Sequence, residues 1–161
     1  MIQHLLFVYG MNLKRAELLV DDLTDEQMVA QPSGVINHPA WTLGHLGVTS
    51  DALAGMLGLP STFPDKWKEA CRMGSIPSGN AADFPGKAEL LEQLRKQHER
   101  VSRAMETVDA ERLRQPMPPP RGTRFPTVGD FATALMTMHE GHHLGQVAAW
   151  RRAMGLGSAY G

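Results

Sequence analysis

The stretch MIQHLLFVYGMNLKRAELLVDDL, residues 1–23, carries the clearest periodic pattern in the sequence. Its apolar side chains recur at alternating intervals of four and three positions: Ile2, Leu6, Tyr9, Leu13, Ala16, Val20 and Leu23. Charged residues such as Lys14 and Glu17 lie off this stripe. A stripe with this spacing is typical of a long helix that packs almost parallel to its neighbours. The beginning of the chain therefore indicates a helical bundle.

Three further stretches have helical periodicity, and no segment alternates as a strand would. The second helix is expected to begin at Pro39 and to end before Gly58. The third is expected over residues 87–108 and the fourth over residues 127–154, with Thr127 as its N-cap. Together the four long helices predict an all-α fold, a four-helix bundle.

The connections after the second and third helices are long and rich in proline and glycine, which argues against the simplest short-loop bundle. We expect one short helix around residues 65–72, within the first of them. Residues 21–31 are interpreted as a frayed helix end or a short extra turn. The chain length of 161 residues predicts a single domain over residues 1–161.

Composition excludes several classes of protein. A net charge of −1 gives no electrostatic reason to expect nucleic acid or an anionic membrane as partner. The single cysteine, Cys71, excludes an internal disulfide and is interpreted as a half-buried small hydrophobic residue, dispensable for chemistry. No apolar run approaches the roughly 18 residues of a membrane span. Since the first residues also lack a secretory signal, a cytoplasmic location is expected.

The densest group of chemically active side chains is residues 139–143, HEGHH. His139 and His143 are four positions apart, so their imidazoles project from one helix face, and they continue the inward row of the fourth helix. Two stacked imidazoles in an apolar interior are costly without a partner, which a divalent metal ion supplies. The alternative is a pair of core histidines bonded to hydroxyl or backbone groups.

The same string matches the H-E-x-x-H motif of zinc proteases and half of the ferritin-like di-iron motif. No acidic residue follows His143 to act as third protease ligand, and the sequence has no second Glu-x-x-His. Both interpretations therefore fail. Glu140 is interpreted as a solvated carboxylate or as a neighbour of the metal ligands.

A third ligand must come from another helix, and His45 is the best candidate. Gly44 and Gly47 leave room beside it for a close helix or a bound ligand. His98 is the alternative, at the edge of the apolar stripe of the third helix. The remaining histidines are interpreted as surface or packing residues: His4, His38 and His142.

Other side chains near these motifs have less specific signals. Trp41 and Trp150 are interpreted as walls of a cavity or as ordinary core residues. Gln146, one turn after His143, is a candidate hydrogen-bond partner for an imidazole. Arg151 and Arg152 are interpreted as surface charges. The loop at residues 121–124 is interpreted as a solvated turn or as an entrance to the site.

Residues 37–46, NHPAWTLGHL, and residues 139–146, HEGHHLGQ, resemble the DinB/YfiT-like superfamily of metalloenzymes. The resemblance covers essentially the whole chain. It implies a DinB/YfiT-type bundle, frequent homodimers, and a divalent ion, nickel or zinc before iron or manganese. It also implies the ligand set: His45, His139 and His143.

The superfamily resembled includes S-transferases that use low-molecular-weight bacterial thiols, which implies thiolate transfer to a small molecule. Three imidazole ligands leave positions open for water or substrate, and the ion lowers the pKa of what binds there. Metal-hydroxide hydrolysis is the close second, since no motif selects between the two. A non-catalytic metal-binding or structural helical-bundle dimer is the alternative from a different class.

Overall fold

The computed structural model describes residues 2–159, and over this range the chain is helical without a strand. The α-helices in chain order are α1 (Ile2–Val20), α2 (Asp25–Met28), α3 (Pro39–Met56), α4 (Asp65–Cys71), α5 (Lys87–Thr107), α6 (Ala110–Arg114), α7 (Val128–Ala134) and α8 (Glu140–Ala153). Within this range, no helix is both long and apolar enough to cross a membrane.

The long helices pack around a shared apolar interior. Helix α1 contacts α5 and α8, and α3 contacts the same two helices from the other side. The predicted stripe of α1 points inward, with Tyr9, Ala16 and Val20 buried. Helix α3 is buried over most of its length, because α4 also packs on it. This position places the residues of α3 at the centre of the molecule.

Local capping interactions explain where several helices begin. The Thr127 side chain accepts from the backbone N–H of Asp130, and the Asp130 side chain accepts from that of Thr127, which confirms the predicted N-cap. Thr24 makes the same reciprocal arrangement with Gln27 at the start of α2. The short extra turn expected after the first helix is thus a separate helix, and the short helix expected around residues 65–72 is α4.

The predicted fourth long helix is present, because the chain stays helical from Val128 to Ala153, but it contains one irregular turn. A π-helical turn, Leu135–His139, separates α7 from α8. The side chain of Asn12 in α1 donates to the carbonyl oxygen of Met136 at 3.1 Å, inside this turn. Such a turn widens the helix by one residue and is frequent at functional sites. One additional residue in a single turn leaves the apolar pattern on either side unchanged, so the sequence does not reveal it.

The interpretation of Arg151 as a surface charge is also wrong. Its side chain is only 4% exposed, and its guanidinium donates to both carboxylate oxygens of Asp22, at 2.5 and 2.8 Å. It donates as well to the carbonyl oxygen of Leu19 at 2.9 Å. Arg151 therefore joins the end of α8 to the end of α1, whereas the neighbouring Arg152 is exposed, as expected.

Candidate metal centre

Three histidines from two distant segments meet at the interior face of α3. His45 comes from α3, His139 from the last position of the π-helical turn, and His143 from α8. One ring nitrogen from each lies within 4.8 Å of the other two. The Nε2 atoms of His45 and His139 are 3.2 Å apart. Two nitrogens bound to one tetrahedral ion at about 2.0–2.1 Å would lie about 3.4 Å apart. The cluster therefore has the spacing to hold a metal ion.

Hydrogen bonds on the far side of two rings fix which nitrogen carries the proton. His45 Nδ1 donates to the carbonyl oxygen of Cys71 at 2.8 Å. His143 Nδ1 donates to Oε1 of Gln146 at 2.9 Å. Gln146 is thus the hydrogen-bond partner of an imidazole, as the sequence predicted. Because both acceptors are carbonyl oxygens, Nε2 of each ring keeps its lone pair for a ligand. Trp41 stacks on the His45 ring, with centroids 4.7 Å apart.

Burial keeps the cluster neutral. It lowers the pKa of His139 to about 3 and that of His143 to about 4, with the neighbouring imidazoles adding to the effect. Burial also lowers the pKa of His45. The buried Nδ1 of His139 has no hydrogen-bond partner within the described residues. Three neutral imidazoles, none competing for protons near pH 7, are a donor set that fits a divalent cation.

These pKa values predict that acid destabilises the metal-free protein. Unfolded histidines titrate near pH 6.5, well above the folded His139 and His143. The unfolded chain therefore binds more protons below pH 6.5, and the free energy of unfolding should fall as the pH drops towards 4. Urea unfolding of chelator-treated protein between about pH 7.5 and 4.5 measures this. His139→Ala should reduce the pH dependence; an unchanged dependence would contradict the assignment.

Glu140 and His98 form a separate buried pair, so the solvated interpretation of Glu140 is wrong. Glu140 is 2% exposed and accepts a hydrogen bond from Nε2 of His98 at 2.8 Å. Burial raises the pKa of Glu140, against the opposing effect of the His98 hydrogen bond. His98 stacks on Tyr9, with centroids 3.7 Å apart. His98 is therefore engaged elsewhere and lies outside the three-histidine cluster.

The other histidines lie outside the cluster as well. His38 caps α3 by accepting from the backbone N–H of Trp41 at 3.2 Å, and its Nε2 contacts the carbonyl oxygen of Ser78 at 2.9 Å. This is the packing role expected of it. His4 and His142 are exposed, and Nε2 of His142 accepts from the Gln146 amide at 3.1 Å.

The two glycines beside His45 accommodate close packing. A Cβ at Gly44 would lie 2.4 Å from Sγ of Cys71, and one at Gly47 would lie 2.5 Å from the ring of Phe63. The structure shows close approach at both positions, by helix α4 at Gly44 and by the Phe63 ring at Gly47. The absence of a side chain at Gly44 lets α4 approach α3, and this brings the Cys71 carbonyl within reach of His45.

Cys71→Ser is expected to retain both metal binding and activity. The thiol is fully buried, not half-buried as expected, and burial raises its pKa to about 12, so it is a poor nucleophile. The atom of Cys71 that contacts His45 is its carbonyl oxygen, which the substitution keeps. Metal content and turnover of Cys71→Ser and Cys71→Ala measure this. Lost activity at unchanged metal content would assign the thiol a chemical role.

Gln146→Leu is expected to weaken metal binding by about 10–100-fold, the usual effect of losing a hydrogen bond behind a ligand. The leucine cannot accept the Nδ1 proton of His143, so the ring loses its fixed orientation. Gln146→Glu is the matched control, because a carboxylate still accepts that proton. Competition with a chromogenic chelator measures the affinities. Equal affinity in the wild type and both variants would show that this hydrogen bond does not matter.

A cavity of about 390 Å³ lies against the histidine cluster. His45 and His139 form part of its wall. Three exposed residues of the loop at residues 121–124 also line it, so the loop lies beside the cluster: Arg121, Thr123 and Arg124. Trp150 does not line the cavity. It is buried in the core, where its Nε1 donates to the carbonyl oxygen of Ala30 at 2.7 Å.

Comparison with known proteins identifies the family. No match to the chain was found among curated proteins or among solved structures. The family model of the DinB superfamily matches residues 10–147, most of the chain and all three clustered histidines. The chain therefore belongs to the DinB superfamily.

Proposed function

We propose that His45, His139 and His143 bind one divalent metal ion and that the protein is a metal-dependent enzyme. Its reaction would be S-transfer, with a low-molecular-weight thiol as nucleophile and a small molecule as acceptor. The observation that carries the proposal is the convergence of three neutral imidazoles beside a cavity. Membership of the DinB superfamily supports it.

The ligand chemistry favours zinc or nickel. Imidazole nitrogen is a good ligand for both, and also for iron, whereas manganese prefers carboxylate and water oxygens. The cluster has no carboxylate or thiolate member. We therefore expect zinc or nickel in the purified protein, with iron or manganese as the alternatives.

The residues of the chain would prepare the site in three ways. When bound, the ion would act as a Lewis acid that lowers the pKa of a coordinated thiol or water. The Cys71 carbonyl and the Gln146 amide hold the rings of His45 and His143 with Nε2 free. Trp41 packs flat against His45 and limits its rotation. The cavity gives a small molecule access to the cluster beside His45 and His139.

The cavity also favours an enzyme over a purely structural metal site. A structural ion is enclosed by four protein ligands, whereas a catalytic one keeps a position open. Here three histidines cluster within the described residues, and two of them face open volume. Hydrolysis by water would use the same open position, so the nucleophile must be identified by experiment.

The test is metal analysis followed by a thiol-dependence assay. Elemental analysis of the purified protein should give about one divalent ion per chain. Metal-replete protein is then incubated with electrophilic small molecules, with and without an added thiol, and compared with chelator-treated protein. Turnover that requires both metal and thiol supports S-transfer. Turnover with metal alone would refute S-transfer and support hydrolysis. A bound ion without exchangeable water would refute the enzyme proposal and support the structural alternative.

We further infer a four-helix bundle of the DinB/YfiT type that forms a homodimer. The contacts of α1 and α3 with both α5 and α8 support the bundle. One face of α1 supports the dimer, since it exposes Phe7, Met11 and Leu18, at 69, 49 and 49%. Light scattering should give twice the chain mass for the wild type and a lower mass for Phe7→Asp. A monomeric wild type would refute the dimer.

A further inference from the structure

The cavity beside the histidine cluster contains two arginine side chains. The guanidinium carbon of Arg121 lies 5.6 Å from the ring centroid of Phe131, and that of Arg124 lies 5.5 Å from the ring centroid of Phe125. All four residues line the cavity together with His45 and His139. At these distances a cation is attracted to the face of the ring. Both positive charges are therefore held at the cavity wall.

Within the described residues, no carboxylate neutralises either positive charge. No aspartate or glutamate lines the cavity, and neither arginine forms an ion pair within residues 2–159. Other exposed arginines of the molecule do so, such as Arg95 with Glu17 and Arg103 with Glu99. The cavity thus has an uncompensated positive charge at one wall.

The rest of the wall is mainly apolar. Phe125, Phe131 and Leu135 contribute to it, and two methionines at the cavity, Met73 and Met138, are 81 and 56% exposed. Exposed apolar side chains around a cavity of about 390 Å³ gain free energy when an apolar molecule covers them. The lining therefore suits a small molecule with an apolar body and one anionic end.

We propose that Arg121 and Arg124 bind a carboxylate on the small-molecule substrate and so determine its class: an organic acid with an apolar body. The planar guanidinium matches a carboxylate in shape and charge, and it donates two parallel hydrogen bonds to it. The apolar body lies along Phe125 and Phe131, and the other end of the molecule reaches His45 and His139. This proposal rests on the proposed function only for what the end of the substrate near His45 and His139 does there.

The test measures binding of one acid and of its neutral counterpart. Full-length protein is titrated with 4-phenylbutyrate and with 4-phenylbutyramide by calorimetry, with and without one equivalent of zinc. Arg121→Gln and Arg124→Gln are compared with Arg152→Gln, an exposed arginine that loses the same charge outside the cavity. Unchanged thermal unfolding confirms that each variant is folded.

We expect the acid to bind more tightly than the amide, and each cavity variant to weaken the acid by about three- to tenfold, a loss typical of a partly exposed charged hydrogen bond. The amide affinity and the Arg152→Gln control should not change. Equal affinity for acid and amide, or acid binding that ignores both arginines, would overturn the proposal, as would no binding at all.

The zinc series separates this proposal from the proposed function. Arginine-dependent binding of the acid in a protein that takes up no metal would support this inference and refute the metal enzyme. Metal binding by the histidines with no effect of the arginines would do the opposite. Acid affinity that depends on zinc alone would show direct coordination of the carboxylate and would also overturn the role of the arginines.

Discussion

His139→Ala is expected to abolish stoichiometric metal binding while the chain stays folded. The substitution removes the imidazole whose Nε2 lies 3.2 Å from Nε2 of His45, and two remaining imidazoles do not hold a divalent ion well. The fold should persist because the interior around the cluster is made of apolar side chains, such as Leu43, Leu144 and Val147. Elemental analysis and far-UV circular dichroism of the same sample measure both quantities.

His142→Ala is the matched control for this prediction. His142 lies three residues further along the chain in α8, is exposed, and is not a member of the three-histidine cluster. It should retain about one ion per chain, and any thiol-dependent turnover with it. Equal metal content in His139→Ala and His142→Ala would refute the three-histidine site. Loss of helicity in His139→Ala would show that the imidazole itself stabilises the fold.

Gly44→Ala is expected to cause a large loss of stability, on the order of 1–3 kcal/mol, as for other overpacked interiors. The new Cβ would lie 2.4 Å from Sγ and 3.2 Å from Cβ of Cys71, so α4 must move away from α3. That movement would withdraw the Cys71 carbonyl from His45 and weaken metal binding as well. Urea unfolding and chelator competition measure the two effects.

Gly55→Ala is the control in the same helix. Nothing lies within 4 Å of a Cβ at Gly55, so the variant should keep or gain stability, by up to about 1 kcal/mol. The double variant Gly44→Ala/Cys71→Ala should recover part of the loss, because the Sγ atom that clashes is removed. A Gly44→Ala protein as stable as Gly55→Ala would show that α3 and α4 are not closely packed in solution.

The sequence predicts the long helices well because their apolar residues follow one dominant period. The expected helix over residues 87–108 is Lys87–Thr107, and the one from Pro39 ends at Met56. The histidines that converge were also identifiable from the sequence. His139 and His143 form an i, i+4 pair on the inward face of one helix, and a third ligand had to come from the inward face of another helix. Here local spacing and burial pointed to the same residues.

The errors concern contacts between distant parts of the chain. Arg151 looks like a surface charge until Asp22, remote in sequence, is placed beside it. Glu140 looks solvated because the sequence does not show that His98 from α5 meets it in the interior. Likewise, a small residue such as Gly44 signals close approach without saying whether a helix or a ligand approaches. Only tertiary packing decides these cases.

The π-helical turn lets the last long helix take in one more residue than an α-helix of the same length would hold. Each residue of an α-helix rotates the following side chain by about 100°, so an extra residue in an unbroken α-helix would change the direction of one segment relative to the other. The wider π turn absorbs the extra residue and keeps both directions. Deleting Met138 should therefore convert the turn to α-helix, while His139 and His143 keep their spacing and Phe131 stays at the cavity wall. In evolutionary terms, a residue can be gained or lost at this turn while the ligand pair and the cavity wall are both inherited unchanged.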